Sequence, residues 1–231
     1  MMIERPEHRH LEHAVVIASD GLDSTARAYW LAARHSRPTL VLFDYGQRHR
    51  VELGHAAEIA RLHLSPHRII DRTSLGALLP GSALTDSPVA VPDGHYTAES
   101  IAATVVPNRN AIMLDITVAV AIVVLADAVA FGANAGDHAI YSDCLPEFAE
   151  RFARSALVAN ERLLVPGFQV LAPFLPLTKI DIDGVGEALT VPFARTWSCY
   201  RGRGAHCGTG TERREAFLDN NIADPAIYRA A

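Results

Sequence analysis

Cysteine is scarce. The 231-residue chain has three, at positions without the even, regular spacing of a disulfide framework, which argues against a secreted, bridge-stapled scaffold and for a reducing compartment. Neither sign of charge dominates. Lys and Arg number 21 against 26 Asp and Glu, a balance of −5, so no broad basic footprint for nucleic acid is present. A long apolar run is also missing. The stretch from Ile116 to Phe131 is interrupted by Asp127 and is too short and alanine-rich to span a bilayer. The N-terminus, with His8, His10 and His13 among scattered charges, lacks the apolar core of a signal peptide. These absences lead to the expectation of a cytoplasmic protein, off the membrane and off nucleic acid, that acts on a small molecule or a protein.

What is present suits one well-packed α/β domain with a small appendage, since 49% of the chain is apolar. Strand-length apolar runs fall at Ala14–Ser19, Thr39–Asp44, Arg68–Asp71 and Ala128–Gly132. Apolar spacing of three and four predicts helices near Ser24–His35, Val51–Leu62, Asn110–Leu125, Glu147–Asn160 and Thr178–Leu189, with Asp23 and Thr178 as N-caps. This alternation predicts a parallel sheet with helices on both faces. Between Arg72 and Pro107, Gly76, Pro80, Gly81, Pro88, Pro92 and Gly94 exclude long regular elements and mark a functional or mobile loop. The boundary is expected at residues 1–196 for the main domain and 197–231 for the appendage, which carries one short helix near Thr211–Asn220.

The hexapeptide Ser19-Asp20-Gly21-Leu22-Asp23-Ser24 joins the first apolar run to the first amphipathic stretch. A strand, a tight turn and a helix start place free backbone N–H groups and the positive end of the helix dipole at one point, which favours an anion such as phosphate. In open parallel sheets ligands bind outside the carboxyl ends of the strands. Polar clusters recur there, at Phe43–His49 after the second run and Gly132–Asp137 after the fourth.

The loop resembles S-G-G-x-D-S, the signature of the PP-loop ATP pyrophosphatases, whose fold is adenine nucleotide alpha-hydrolase-like. Further stretches resemble one family, the 7-cyano-7-deazaguanine synthases or QueC family, over nearly the whole chain: F-D-Y-G-Q-R-H at Phe43–His49, G-S-A-L-T at Gly81–Thr85, V-P-N-R-N at Val106–Asn110, Y-S-D-C-L-P-E-F at Tyr141–Phe148, L-T-K at Leu177–Lys179 and T-W-S-C-Y-R-G at Thr196–Gly202. The resemblance implies an ATP-dependent C–N ligase of queuosine biosynthesis. Such an enzyme adenylates the carboxylate of 7-carboxy-7-deazaguanine and lets ammonia attack, giving an amide and then a nitrile. It also implies ATP and Mg²⁺ as cofactors and a homodimer.

Carried onto this chain, the resemblance assigns ATP to Ser19, Gly21, Leu22, Asp23, Ser24, Thr25, Phe43, Tyr45 and Gln47, and Mg²⁺ to Asp23. Asp20, Asp23, Arg109 and Lys179 are the candidate catalytic residues. Asn134, Asp137, Tyr141, Asp143 and Glu147 are assigned to the deazaguanine, whose guanine-like edge presents N–H donors that suit carboxylates.

Three departures accompany the match. Asp20 replaces the second glycine of the loop, and Leu145 stands where the family has arginine. The family's zinc site reads C-x₇₋₈-C-x-x-C-x-x-C, but here only Cys199 and Cys207 remain, with Gly210 and Arg213 at the other thiolate positions, so structural zinc is expected to be absent. His206 adjoins Cys207, and Cys144 belongs to a different motif. The departures keep two alternatives open. One is an enzyme that stops at the amide or joins the deazaguanine to an amine of a partner protein, with Asp20 handling the incoming ammonium-type group. The other is an inactive nucleotide-binding paralogue.

Overall fold

The computed structural model describes residues 11–19, 21–34, 36–48, 51–62, 65–86, 88–94, 102–137, 141–198, 207–226 and 228. Asp20, His49, Cys199 and His206 lie outside the described residues. The elements in chain order are β1 (His13–Ile17), α1 (Leu22–Ala32), β2 (Arg37–Asp44), α2 (Val51–Leu62), β3 (His67–Asp71), α3 (Thr73–Leu78), α4 (Arg109–Val123), β4 (Ala128–Ala130), α5 (Pro146–Ala159), β5 (Gln169–Leu171), α6 (Lys179–Ala188) and α7 (Gly208–Asp219).

The strands form a five-stranded sheet in the order β3-β2-β1-β4-β5, every ladder parallel, with Val15 opposite Thr39 and Val129. Strands buried on both faces read as continuous apolar runs, and the side chains of Val15, Val41 and Val129 meet α4 and α5 while Ala14, Val16, Leu40, Leu42, Ala128 and Ala130 meet α1 and α2. Helices on both faces follow from this period of two. A third cluster joins Leu22 and Ala26 of α1 to Ile182 of α6 and Phe217 of α7, with Phe174 and Phe193 between them.

Differences from the sequence reading are local. Strand β5 has three residues between Gly167 and Pro173, too few to display a period. Helix α3 occupies part of the turn-rich stretch in six residues. Thr178 is an N-cap as expected, in a capping box with Asp181. Asp23 is not: Gly21 is the N-cap of α1 and Asp23 lies within its first turn. The small residue at the cap lets the chain turn sharply out of β1.

Candidate active site

Strand order reverses between β1 and β4, and ligands of open α/β sheets sit in the crevice beside such a reversal. A cavity of about 270 Å³ opens there, lined by Ser19, Gly21, Asp23, Ser24, Phe43, Tyr45, Gln47, Arg109 and Lys179. A second cavity of about 370 Å³ adjoins it, lined by Asn134, Asp137, Tyr141, Thr178, Glu212, Glu215 and Asp219. Arg109, Asn110, Gly132, Asp137 and Lys179 line both.

The loop is tied by its own hydroxyls. Ser24 Oγ donates to the Ser19 carbonyl at 2.7 Å, and Ser19 Oγ donates to Ser24 Oγ at 3.1 Å. Asp23 Oδ2 accepts from Asn134 Nδ2 at 3.2 Å, whereas its Oδ1 is buried with no partner. An orphaned carboxylate oxygen beside a helix N-terminus fits a hard, oxygen-seeking cation such as Mg²⁺.

Lys179 opens α6, and its Nζ donates to Glu212 Oε2 at 2.8 Å. Burial would lower its pKa, but Asp23, Glu212 and Asp137 outweigh that and raise it; the ammonium is fixed in its charged form. Burial pushes Asp137 up to about 6, with Lys179 opposing and Asp23 adding to the rise. Arg109 opens α4 immediately after Asn108, which takes the left-handed conformation at φ 56°. Its guanidinium faces the Tyr45 ring, 6.0 Å from the centroid.

Several expected residues also make structural contacts within the fold. Thr25 is buried and bonds the Gly21 carbonyl inside α1 at 3.0 Å, away from the cavities. The Leu22 side chain is packed into the third core cluster, though it borders the loop cavity. Gln47 spends both ends of its amide on backbone, accepting from Tyr45 N at 2.9 Å and donating to the Phe43 carbonyl at 3.0 Å; it buckles the end of β2. Asp143 accepts from Asn110 N at 3.3 Å and so steadies the start of α4. Glu147 is exposed and pairs with Arg151 at 2.6 Å. Neither Asp143 nor Glu147 lines either cavity.

Among the charged residues that line the cavities, Arg27, Glu212, Glu215 and Asp219 were not expected as site residues. The available signal for Glu212 was the spacing of Glu212, Glu215 and Asp219, which places all three on one helix face. Burial, with Asp137 and Asp143 adding, pushes the Cys144 thiol up to about 12, which keeps it a neutral thiol near pH 7.

The described residues do not fit a tetrahedral zinc site. Cys207 is fully buried among Ala83, Val91 and Trp197. At the next thiolate positions Gly210 is buried, and the Arg213 guanidinium forks onto Asp224, with Nη2 at 3.0 Å and Nε at 3.1 Å. A cation held at a ligand position repels a dication. Arg213 also donates to Thr196 Oγ1 at 2.6 Å and the Phe193 carbonyl at 3.0 Å, and Tyr228 donates to the same carboxylate.

A family model described as "Queuosine biosynthesis protein QueC" matches residues 13–221. The chain belongs to the QueC family. It is 49% identical over 217 residues to the 7-cyano-7-deazaguanine synthase of Rhizobium etli (strain CIAT 652), covering 93% of this chain and 91% of that one. With the 7-cyano-7-deazaguanine synthase of Brucella ovis it shares 48% identity over 223 residues, 94% of each chain. Among solved structures, the U34-tRNA thiolase NcsA from Methanococcus maripaludis is similar at TM-score 0.49 and 17% identity, covering 92% of this chain and 66% of that chain. The chain is thus an enzyme of the QueC-type, ATP-dependent ligase class. No helix among the described residues is long and apolar enough to cross a membrane.

Proposed function

We propose that the chain makes 7-cyano-7-deazaguanine from 7-carboxy-7-deazaguanine, ammonia and ATP, with ATP in the loop cavity and the acid in the adjoining one. The observation that carries this is the shared wall, since Arg109, Gly132, Asp137 and Lys179 line both cavities and group transfer needs its two partners held side by side. The relatives' activity supports the choice of substrate.

A carboxylate is a poor electrophile because its leaving group would be oxide. Attack of a carboxylate oxygen on the α-phosphorus forms one P–O bond and breaks the bond to pyrophosphate, which leaves toward Ser19–Ser24. There the first-turn amides of α1 and the serine hydroxyls meet the departing charge, and Lys179 and Arg109 offset the rest. Asp23 would hold Mg²⁺, which when bound supplies charge neutralisation for the polyphosphate. Ammonia then attacks the acyl carbon and AMP departs, leaving the amide. Asp137, ionised at neutral pH, is placed to accept the proton that the amine sheds. A second ATP adenylates the amide oxygen, releasing pyrophosphate and one N–H proton; AMP then departs with that oxygen, the remaining N–H proton is lost, and the nitrile is left.

The deazaguanine's donor edge is read by the acidic face of α7, Glu212 with Glu215 and Asp219, together with Asn134 and Tyr141. The appendage, residues 197–231, does without structural zinc, its helix being held by Arg213, Asp224 and Thr196. A homodimer is carried over from the family, and the scarcity of cysteine supports a cytoplasmic location. Incubation with 7-carboxy-7-deazaguanine, ATP, Mg²⁺ and ammonium, followed by mass spectrometry, gives the nitrile. Accumulation of amide alone, or a deazaguanine mass added to a protein, would show a changed final step.

A further inference from the structure

The loop motif ends at Ser24, and Arg27 lies almost one turn beyond it on α1. This side chain is 2% exposed. Its Nη2 donates to the Ile17 carbonyl at 2.7 Å, while Nε and Nη1 are buried without a partner. Burial pulls the guanidinium down to about 10, opposed by Asp23, so it stays charged at neutral pH. A buried guanidinium is ordinarily matched by a carboxylate, as Arg213 is by Asp224. No carboxylate among the described residues lies within ion-pair distance of Arg27.

The unmatched charge sits at the switch point of the sheet. Ile17 ends β1 and Gly132 follows β4, and a Cβ on Gly132 would come within 2.6 Å of Arg27 Nη1. The guanidinium therefore lies where strand order reverses, lines the loop cavity, and abuts a residue of the wall shared with the second cavity. The reacting phosphorus must lie between the pyrophosphate loop and the acceptor, which is at this wall.

We propose that Arg27 is a nucleotide-binding residue that offers its charge and open donors to the α-phosphoryl group at the junction of the two cavities. This rests on the reading that the loop cavity takes ATP. AMP and ATP carry the α-phosphoryl group and feel Arg27; free pyrophosphate is held by the loop with Lys179 and Arg109, without Arg27.

The test is Arg27→Met in the full-length protein, titrated calorimetrically with AMP, pyrophosphate and ATP in the presence of Mg²⁺, with thermal unfolding alongside. AMP affinity falls at least fivefold more than pyrophosphate affinity, and the Tm holds or rises because an apolar side chain replaces an unpaired buried charge. A smaller difference between AMP and pyrophosphate overturns the proposal. If Arg27→Met does not fold, Arg27→Gln, neutral and still able to donate to the Ile17 carbonyl, is judged by the same ratio. Wild-type protein that binds no ATP refutes the underlying reading instead, an outcome visible before any variant is made.

Discussion

Lys179 and Glu212 meet at 2.8 Å across 33 residues of sequence, so the cation that opens α6 is held in place by a carboxylate of α7. The helix of the appendage thereby reaches the candidate site. It steadies the lysine that faces Asp23 and Asp137 and supplies the outer wall of the second cavity.

Removing the cation removes charge stabilisation at the departing phosphate. Lys179→Met lowers kcat by about 10²–10³-fold, the usual cost of losing one such donor. Glu212→Gln keeps the shape and loses the anchor, giving a smaller fall, about tenfold. Steady-state pyrophosphate release measures both; a Lys179→Met enzyme at full rate contradicts the assignment.

Asp137 makes stability depend on pH. Its folded pKa, about 6, lies above the unfolded value near 3.8, so the native state binds the extra proton. The associated stability is full below about pH 4 and is lost as pH rises through 6. Asp137→Asn removes this slope. The variant matches wild type near pH 4 and is more stable at pH 7.5, on the order of 2 kcal/mol, by denaturant unfolding at the two pH values.

Much of this was legible in the residues alone, and the rest was hidden for physical reasons. The apolar runs of β1, β2 and β4 and the loop Ser19–Ser24 report themselves locally, because a strand buried on both faces leaves a continuous apolar run. Strand β3, at the sheet edge, is largely exposed and shows only Ile69-Ile70 between polar residues. Gln169–Leu171 leaves no such run, being three residues long. Glu147 stands inside the Tyr141–Phe148 motif, which by itself says nothing about which face of α5 its side chain takes. Glu212 and Arg27 were missed because their roles depend on partners far along the chain, Lys179 in one case and Gly132 in the other.

The Arg213–Asp224 pair holds the appendage. Both side chains are largely buried, 2% and 10% exposed, and breaking such a pair leaves a stranded charge. Arg213→Met costs about 3–5 kcal/mol, read by urea unfolding. Exhaustive chelation leaves the wild-type Tm unchanged, and metal analysis finds no stoichiometric zinc; one zinc per chain contradicts this.

Asn108 turns the chain into α4 with φ at 56°, which aims Arg109 at both cavities. Asparagine and glycine tolerate that conformation and β-branched residues do not. Asn108→Gly therefore keeps activity, whereas Asn108→Val loses about 1–2 kcal/mol of stability and raises the KM for ATP or acid. Thermal unfolding and kinetics on the two variants decide it.

Adenylation of the acid is the central claim, and isotope transfer tests it most directly. With 7-carboxy-7-deazaguanine labelled with ¹⁸O in its carboxylate, ATP, Mg²⁺ and ammonium, the AMP released carries one ¹⁸O atom, because a carboxylate oxygen joins the α-phosphorus in the acyl phosphate and leaves with AMP when the amine attacks the acyl carbon. AMP without the label, or label found in pyrophosphate, contradicts the account.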